Sequence, residues 1–151
     1  LPEEFSMAVP SVAALMIATL FAGAALYISL VEHPARLLLS DEQMLAQWQP
    51  SYRRALPIQA SLAILGGATG FAVWYAGGQW PWLAGGIAML ANWPLTMFVI
   101  MPVNRRLMAI APDKADRESR DLLLRWGRLH DLRSMLGSLG ALLFAWGLLG
   151  R

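Results

Sequence analysis

The sequence has no cysteine and only two histidines among its 151 residues. Disulfides, thiolate chemistry and cysteine-ligated zinc or iron–sulfur sites are therefore excluded. Charge is scarce as well: Asp, Glu, Lys and Arg make up 15% of the chain, against about 25% in a typical soluble domain. The net charge of +2 comes without a basic stripe carrying interleaved exposed aromatics, which sets nucleic acid aside as a partner. What the chain holds instead is apolar residues, 57% of the total, gathered in blocks.

Ser11 to Val31 is a run of 21 residues without a charge, and one bilayer crossing takes about 20. Further blocks cover 55–76, 82–103 and 132–150. The segment before the first block, LPEEFSMAVP, is acidic, whereas a cleaved signal peptide begins basic, so the first block is expected to stay as a span. The sequence thus predicts an all-α, four-helix integral membrane bundle forming one domain in the lipid bilayer, with connections at 32–54 and 104–131.

Charge is distributed one-sidedly. Arg36, Arg53 and Arg54 follow the first block, and eight more basic residues from Arg105 to Arg133 lie between the third and the fourth. That is 11 of the 12 basic residues, in the two connections that must share a side, while GGQWP between the second and third blocks has none. By the positive-inside rule both basic connections are cytoplasmic and both termini outside, as in a multi-pass protein of a bacterial-type inner membrane. Trp74, Trp80, Trp82 and Trp146 fall at the outer ends and Trp48 and Trp126 near the inner side, as an aromatic belt would place them. Trp93 sits mid-span beside Asn92 and Pro94.

SDEQMLAQWQP reads as a short helix with a Ser40/Gln43 capping box, ended by Pro50. The stretch from Asp113 reads as an amphipathic helix that runs into the fourth block and extends it into the cytoplasm. At 100° per residue, Leu122, Trp126, Leu129, His130, Arg133 and Gly137 share a stripe, so His130 faces the bundle. On the first helix the positions stacked outward from His33 are Ser29, Leu26, Ala22 and Thr19, mostly small. Both imidazoles therefore end up at one depth with room for something flat, or for close helix packing. Glu32 and Arg133 are positioned to pair between the first and fourth helices. Met97 and Met101 read as core fill, and Ala63–Gly67 and Gly66–Gly70 as a dimer face or an internal contact.

EHP at 32–34, WQPSY at 48–52, NWPLT at 92–96, MPVNRRL at 101–107 and RWGRLHDLR at 125–133, taken in order, resemble the anthrone oxygenase-like family of small four-helix membrane proteins. The resemblance runs from Glu32 to Arg133. Its name derives from members linked to oxidation of anthrones to anthraquinones, and it draws attention to His33, Asn104 and His130.

Three functions compete. The first is a b-type haem protein with a redox or oxygen-linked role, in which His33 or His130, or both, would be the metal ligands. Arg36, Arg105, Arg106 and Arg133 would hold the propionates, and Trp93 and Trp126 would be further cofactor contacts. The second is a cofactor-free oxygenase in which a histidine base forms a carbanion that reacts with dioxygen. There Glu32 would orient the imidazole, and Asn92 or Asn104 would donate to the oxyanion. A planar hydrophobic ligand would fill the same space, and copper on two histidines is a lesser variant. The third is a non-enzymatic scaffold or binding protein, a homodimer among the options, that docks through the charged helix at 113–131.

Overall fold

The computed structural model describes residues 3–150, with side chains over 8–150. Its elements are α1 (Glu3–Tyr27), a π-helical turn (Ile28–Glu32), α2 (His33–Arg36), α3 (Asp41–Tyr75), α4 (Trp80–Pro94), a second π-helical turn (Leu95–Ile100), α5 (Met101–Ala109), a 3-10 turn (Pro112–Lys114) and α6 (Arg117–Leu149). No strand occurs among the described residues. Four helical stretches are long and apolar enough to cross a membrane: Ala8–Arg36, Asp41–Tyr75, Trp80–Ala109 and Arg117–Leu149. They form an all-α membrane bundle in which α1 and α4 each pack between α3 and α6.

Both π-helical turns have a proline behind them. Pro34 and Pro102 lack an N–H, and each ring crowds the carbonyl four residues earlier, at Leu30 and Phe98. Widening the helix over 28–32 and 95–100 moves those carbonyls aside and keeps the helix continuous. The extra residue also re-phases the helix face. The inward stripe of α1 is therefore Ala14, Ala18, Phe21, Ala22 and Ala25, while Thr19 and Leu26, expected to line it, are exposed.

α3 begins at the Ser40/Gln43 capping box, as its sequence indicates. It does not end at Pro50. The helix runs on through Pro50 and Pro57, because Met44, Leu45 and Trp48 and then Gln59 and Ala63 continue one buried face. That packing outweighs the proline penalty of about 3 kcal/mol. α6 starts at Arg117, later than Asp113, with Asp116 as N-cap in a capping box with Ser119. Its basic end does not project alone. Leu122, Leu123 and Trp126 pack on Met44, Leu45 and Trp48 of α3 and Val103 and Leu107 of α5, and Arg120 bonds Asp41 and the carbonyls of Leu37 and Leu39.

Helices approach closely at Gly67 and Gly86, where a Cβ on either would lie 3.2 Å from the other's carbonyl oxygen. Gly66 and Gly70 face Met89 and Phe144, so these small residues are spent on contacts inside the bundle. Gly77, with φ of 101°, allows the tight turn between α3 and α4. The tryptophan belt needs correction. Trp74, Trp80 and Trp146 are exposed, but Trp82 is fully buried on Phe144, and Trp48 and Trp126 belong to the core at the basic end. Two apolar cores result, one around Phe21, Trp82, Met89 and Phe144 and one around Trp48, Leu107, Leu123 and Trp126. Polar side chains lie between them.

Candidate functional site

Both histidines are buried and turned into the bundle. They do not face each other across an open space. The indole of Trp126 lies against both, its ring centroid 5.4 Å from that of His33 and 4.9 Å from that of His130. His33 Nδ1 is 3.5 Å from a guanidinium nitrogen of Arg36, and its Nε2 presses on the backbone of α6 at Gly127. Neither nitrogen of His33 thus has open space before it.

His130 stands differently. Its Nδ1 is 3.2 Å from Ser29 Oγ, which is 2.9 Å from Ser134 Oγ, and Ser134 Oγ donates to the His130 carbonyl at 3.3 Å. If Ser134 donates to that carbonyl, its oxygen accepts from the Ser29 hydroxyl. Ser29 then accepts from Nδ1–H of His130. One proton order satisfies all three contacts, and it leaves the lone pair of His130 on Nε2.

Two cavities meet at Arg133, and His130 lines the smaller of them. The smaller, about 30 Å³, is the more polar of the two, lined by Glu32, Arg36, Ser51, Tyr52, Gln59, Asn104, His130 and Arg133 together with Trp48, Trp126 and three aliphatic side chains. The larger, about 190 Å³, is almost wholly apolar, walled by Leu56, Ala60, Ala63, Trp93, Met97 and Met101, with Asn92, Thr96 and Arg133 as its polar members. Trp93 and Met97 are partly exposed on the outside of the bundle, so this cavity borders the lipid-facing surface. The two methionines expected as core fill are therefore cavity wall.

Arg133 joins both cavities. It is 8% exposed, and no carboxylate lies within 4.0 Å of it among the described residues. Its Nε is buried without a hydrogen-bond partner, and its guanidinium carbon stands 5.8 Å from the Phe21 ring. The expected pairing with Glu32 is not formed. Glu32 Oε1 instead accepts from Arg36 at 2.5 Å, from Gln47 at 3.1 Å and from Ser51 at 2.7 Å. Arg36 sits one turn away on the same helix and reaches Glu32 first, and it also donates to Gln47. Glu32 therefore orients Arg36, and no bond to a histidine is formed.

Other buried polar atoms near the cavities also lack partners: Asn92 Oδ1, Asn104 Oδ1 and Trp48 Nε1. Asn104 donates to the Tyr52 hydroxyl at 3.1 Å, and Tyr52 in turn donates to Met101 Sδ at 3.8 Å and stacks on Trp48. Arg105 and Arg106 are exposed, and Arg106 pairs with Glu118 at 2.5 Å, away from both cavities. No cluster of three or more His, Asp or Glu suited to a metal ion occurs among the described residues. Tyr52, Trp48 and the Ser29–Ser134 pair escaped the sequence reading as site residues. The WQPSY motif was the available signal for the first two.

Residues 48–143 match the family model described as anthrone oxygenase. A stretch of 69 residues is 35% identical to a curated protein named "Anthrone oxygenase" from Claviceps purpurea (strain 20.1), covering 40% of each chain. The match thus spans about two fifths of that relative's length. No solved structure matches the chain. The matched region contains Tyr52, Asn92, Asn104, Trp126, His130 and Arg133, whereas Glu32, His33 and Arg36 precede it. On the strength of that match over most of its length, the chain belongs to the anthrone oxygenase family.

Proposed function

We propose that this protein is a membrane oxygenase that oxidises an anthrone-like, planar apolar carbon acid with dioxygen and needs no metal. The observation that carries the reading is Arg133, a buried guanidinium without a counter-ion at the junction of an apolar cavity and a polar one. Placing an ionisable group there costs about 2.5–3.5 kcal/mol on insertion scales, and a ligand oxyanion would offset that cost.

In this reading the apolar rings lie in the larger cavity and extend past Arg133, which holds the ketone oxygen, into the smaller one, where His130 stands. His130 takes the acidic C–H proton on the nitrogen that its serine contacts leave free. The electrons left behind delocalise onto the oxygen, whose charge Arg133 stabilises. Dioxygen then adds to the carbanion carbon, and the resulting peroxide anion recovers the proton from His130. Loss of water from the hydroperoxide forms the second carbonyl. One anthrone and one dioxygen give one anthraquinone and one water.

A haem bridging the two imidazoles fits the geometry less well. Trp126 packs against both rings, and His33 is closed off by Arg36 and Gly127. The basic end of the bundle would face the cytoplasm of a bacterial-type inner membrane, in line with the positive-inside rule.

The test is oxygen uptake with anthrone by the full chain in lipid nanodiscs, set against empty nanodiscs, with product absorbance and iron content measured on the same sample. The expected result is one dioxygen consumed per anthraquinone formed, at a rate that does not track iron. His130→Gln should slow it by about 10²–10⁴-fold. Uptake no faster than in empty nanodiscs would end the proposal.

A further inference from the structure

We infer that Asn92 is a specificity residue whose side-chain oxygen receives a hydrogen-bond donor carried by the ligand of the larger cavity. Asn92 is 1% exposed and lies in the cavity wall. Its Nδ2 is committed to the carbonyls of Ala88 at 3.3 Å and Met89 at 3.1 Å. Those two bonds fix the amide orientation, because flipping it would set Oδ1 against two carbonyl oxygens. Oδ1 is left as a buried acceptor with no partner in the protein. Buried acceptors of this kind are rare in folded proteins, and one in a cavity wall points to a donor from outside the chain.

The same cavity has the opposite polarity at Arg133, which can only donate. Its occupant is thus asked for two features at once: an anionic or carbonyl oxygen for Arg133 and an O–H or N–H for Asn92. Apart from the Thr96 hydroxyl, the remainder of the wall, with Leu56, Ala60, Ala63 and Met97, is apolar, so an apolar ring system carrying one hydroxyl is the matching chemistry. This inference rests on reading the cavity as the substrate site, but on a residue with no part in the chemical step.

The experiment measures binding of three stable product-like probes to the full chain in nanodiscs by quenching of tryptophan fluorescence. They are anthraquinone, an anthraquinone with a hydroxyl remote from both carbonyls, and the methyl ether of the latter. The hydroxyl compound should bind about tenfold more tightly than the other two. Asn92→Leu should abolish the difference, and Thr96→Val should preserve it. The methyl ether makes the comparison within the unaltered protein, so the inference is exposed even if Asn92→Leu does not fold. Equal binding of hydroxyl and ether, or a preference that survives Asn92→Leu, would overturn it. A preference lost in Asn92→Leu, in a protein that consumes no oxygen with anthrone, would sustain this assignment and sink the oxygenase reading alone.

Discussion

Gly127 carries no side chain where His33 needs the space: a Cβ at Gly127 would overlap Nε2 of the imidazole. The two residues lock the end of the first span onto α6 and hold His33 beside Trp126. Overpacking of this kind costs about 1–3 kcal/mol, while Ala in place of Gly gains about 1 kcal/mol in a helix. Gly127→Ala should therefore lower the thermal midpoint in detergent. In a His33→Ala background the same change should raise it. A midpoint that moves the same way in both backgrounds would show that the contact is not what decides it.

Among the described residues Glu32 is the one carboxylate paired with Arg36, whose side chain is 2% exposed. Removing the charge leaves a buried cation facing only neutral groups. Glu32→Gln should destabilise the protein by about 2–3 kcal/mol, below the 3–5 kcal/mol of a fully buried pair because Glu32 is itself 22% exposed. Chemical unfolding in mixed micelles would read this. The change should leave the rate per folded molecule within a factor of a few, since Glu32 touches no catalytic nitrogen.

Ser29 and Ser134 fix the tautomer of His130 through linked contacts of 3.2 and 2.9 Å. Losing one such bond is worth about 1 kcal/mol. Ser29→Ala should accordingly lower kcat about five- to tenfold with KM unchanged. Ser29→Ala with Ser134→Ala should be no worse than Ser29→Ala alone, because the two serines act as one chain. Multiplying effects in the double variant would mean that they serve His130 separately.

The chain has no cysteine, so single cysteines report topology without background. A cysteine at Arg54 or Arg105 should resist a membrane-impermeant maleimide applied to intact cells and react after lysis. One at Ala76, which is exposed in the turn after α3, should react at once. The reverse pattern would invert the assigned orientation.

The four spans were legible because long uncharged runs and one-sided arginines are local properties of the sequence. So was the inward direction of His130 and Arg133, which lie three residues apart on an unbroken helix. The first span was harder. Its π-helical turn at Ile28–Glu32 shifts the face by a residue, which moves Leu26 outward and Ala25 inward. Pro50 signalled a helix end that the packing of Trp48 and Gln59 overrode. Trp126 was visible on the same stripe as His130, but its contact with both imidazoles depends on how α6 meets the first span. Arg133 without a partner was illegible for the same reason: whether Glu32 turns to Arg36 or across the bundle is decided by side-chain reach in three dimensions.

Arg133 as the holder of a substrate oxyanion is tested most directly without oxygen. Under anaerobic conditions, anthrone bound to the full chain in nanodiscs should show the visible absorption of its conjugate anion at a pH where free anthrone in the same lipid stays neutral. Arg133→Leu, with helical content and thermal midpoint checked on the same sample, should bind anthrone in its neutral form. Turnover in air should fall about 10²–10³-fold in parallel. A neutral spectrum in the wild-type protein, or an anion band that persists in Arg133→Leu, would contradict the assignment.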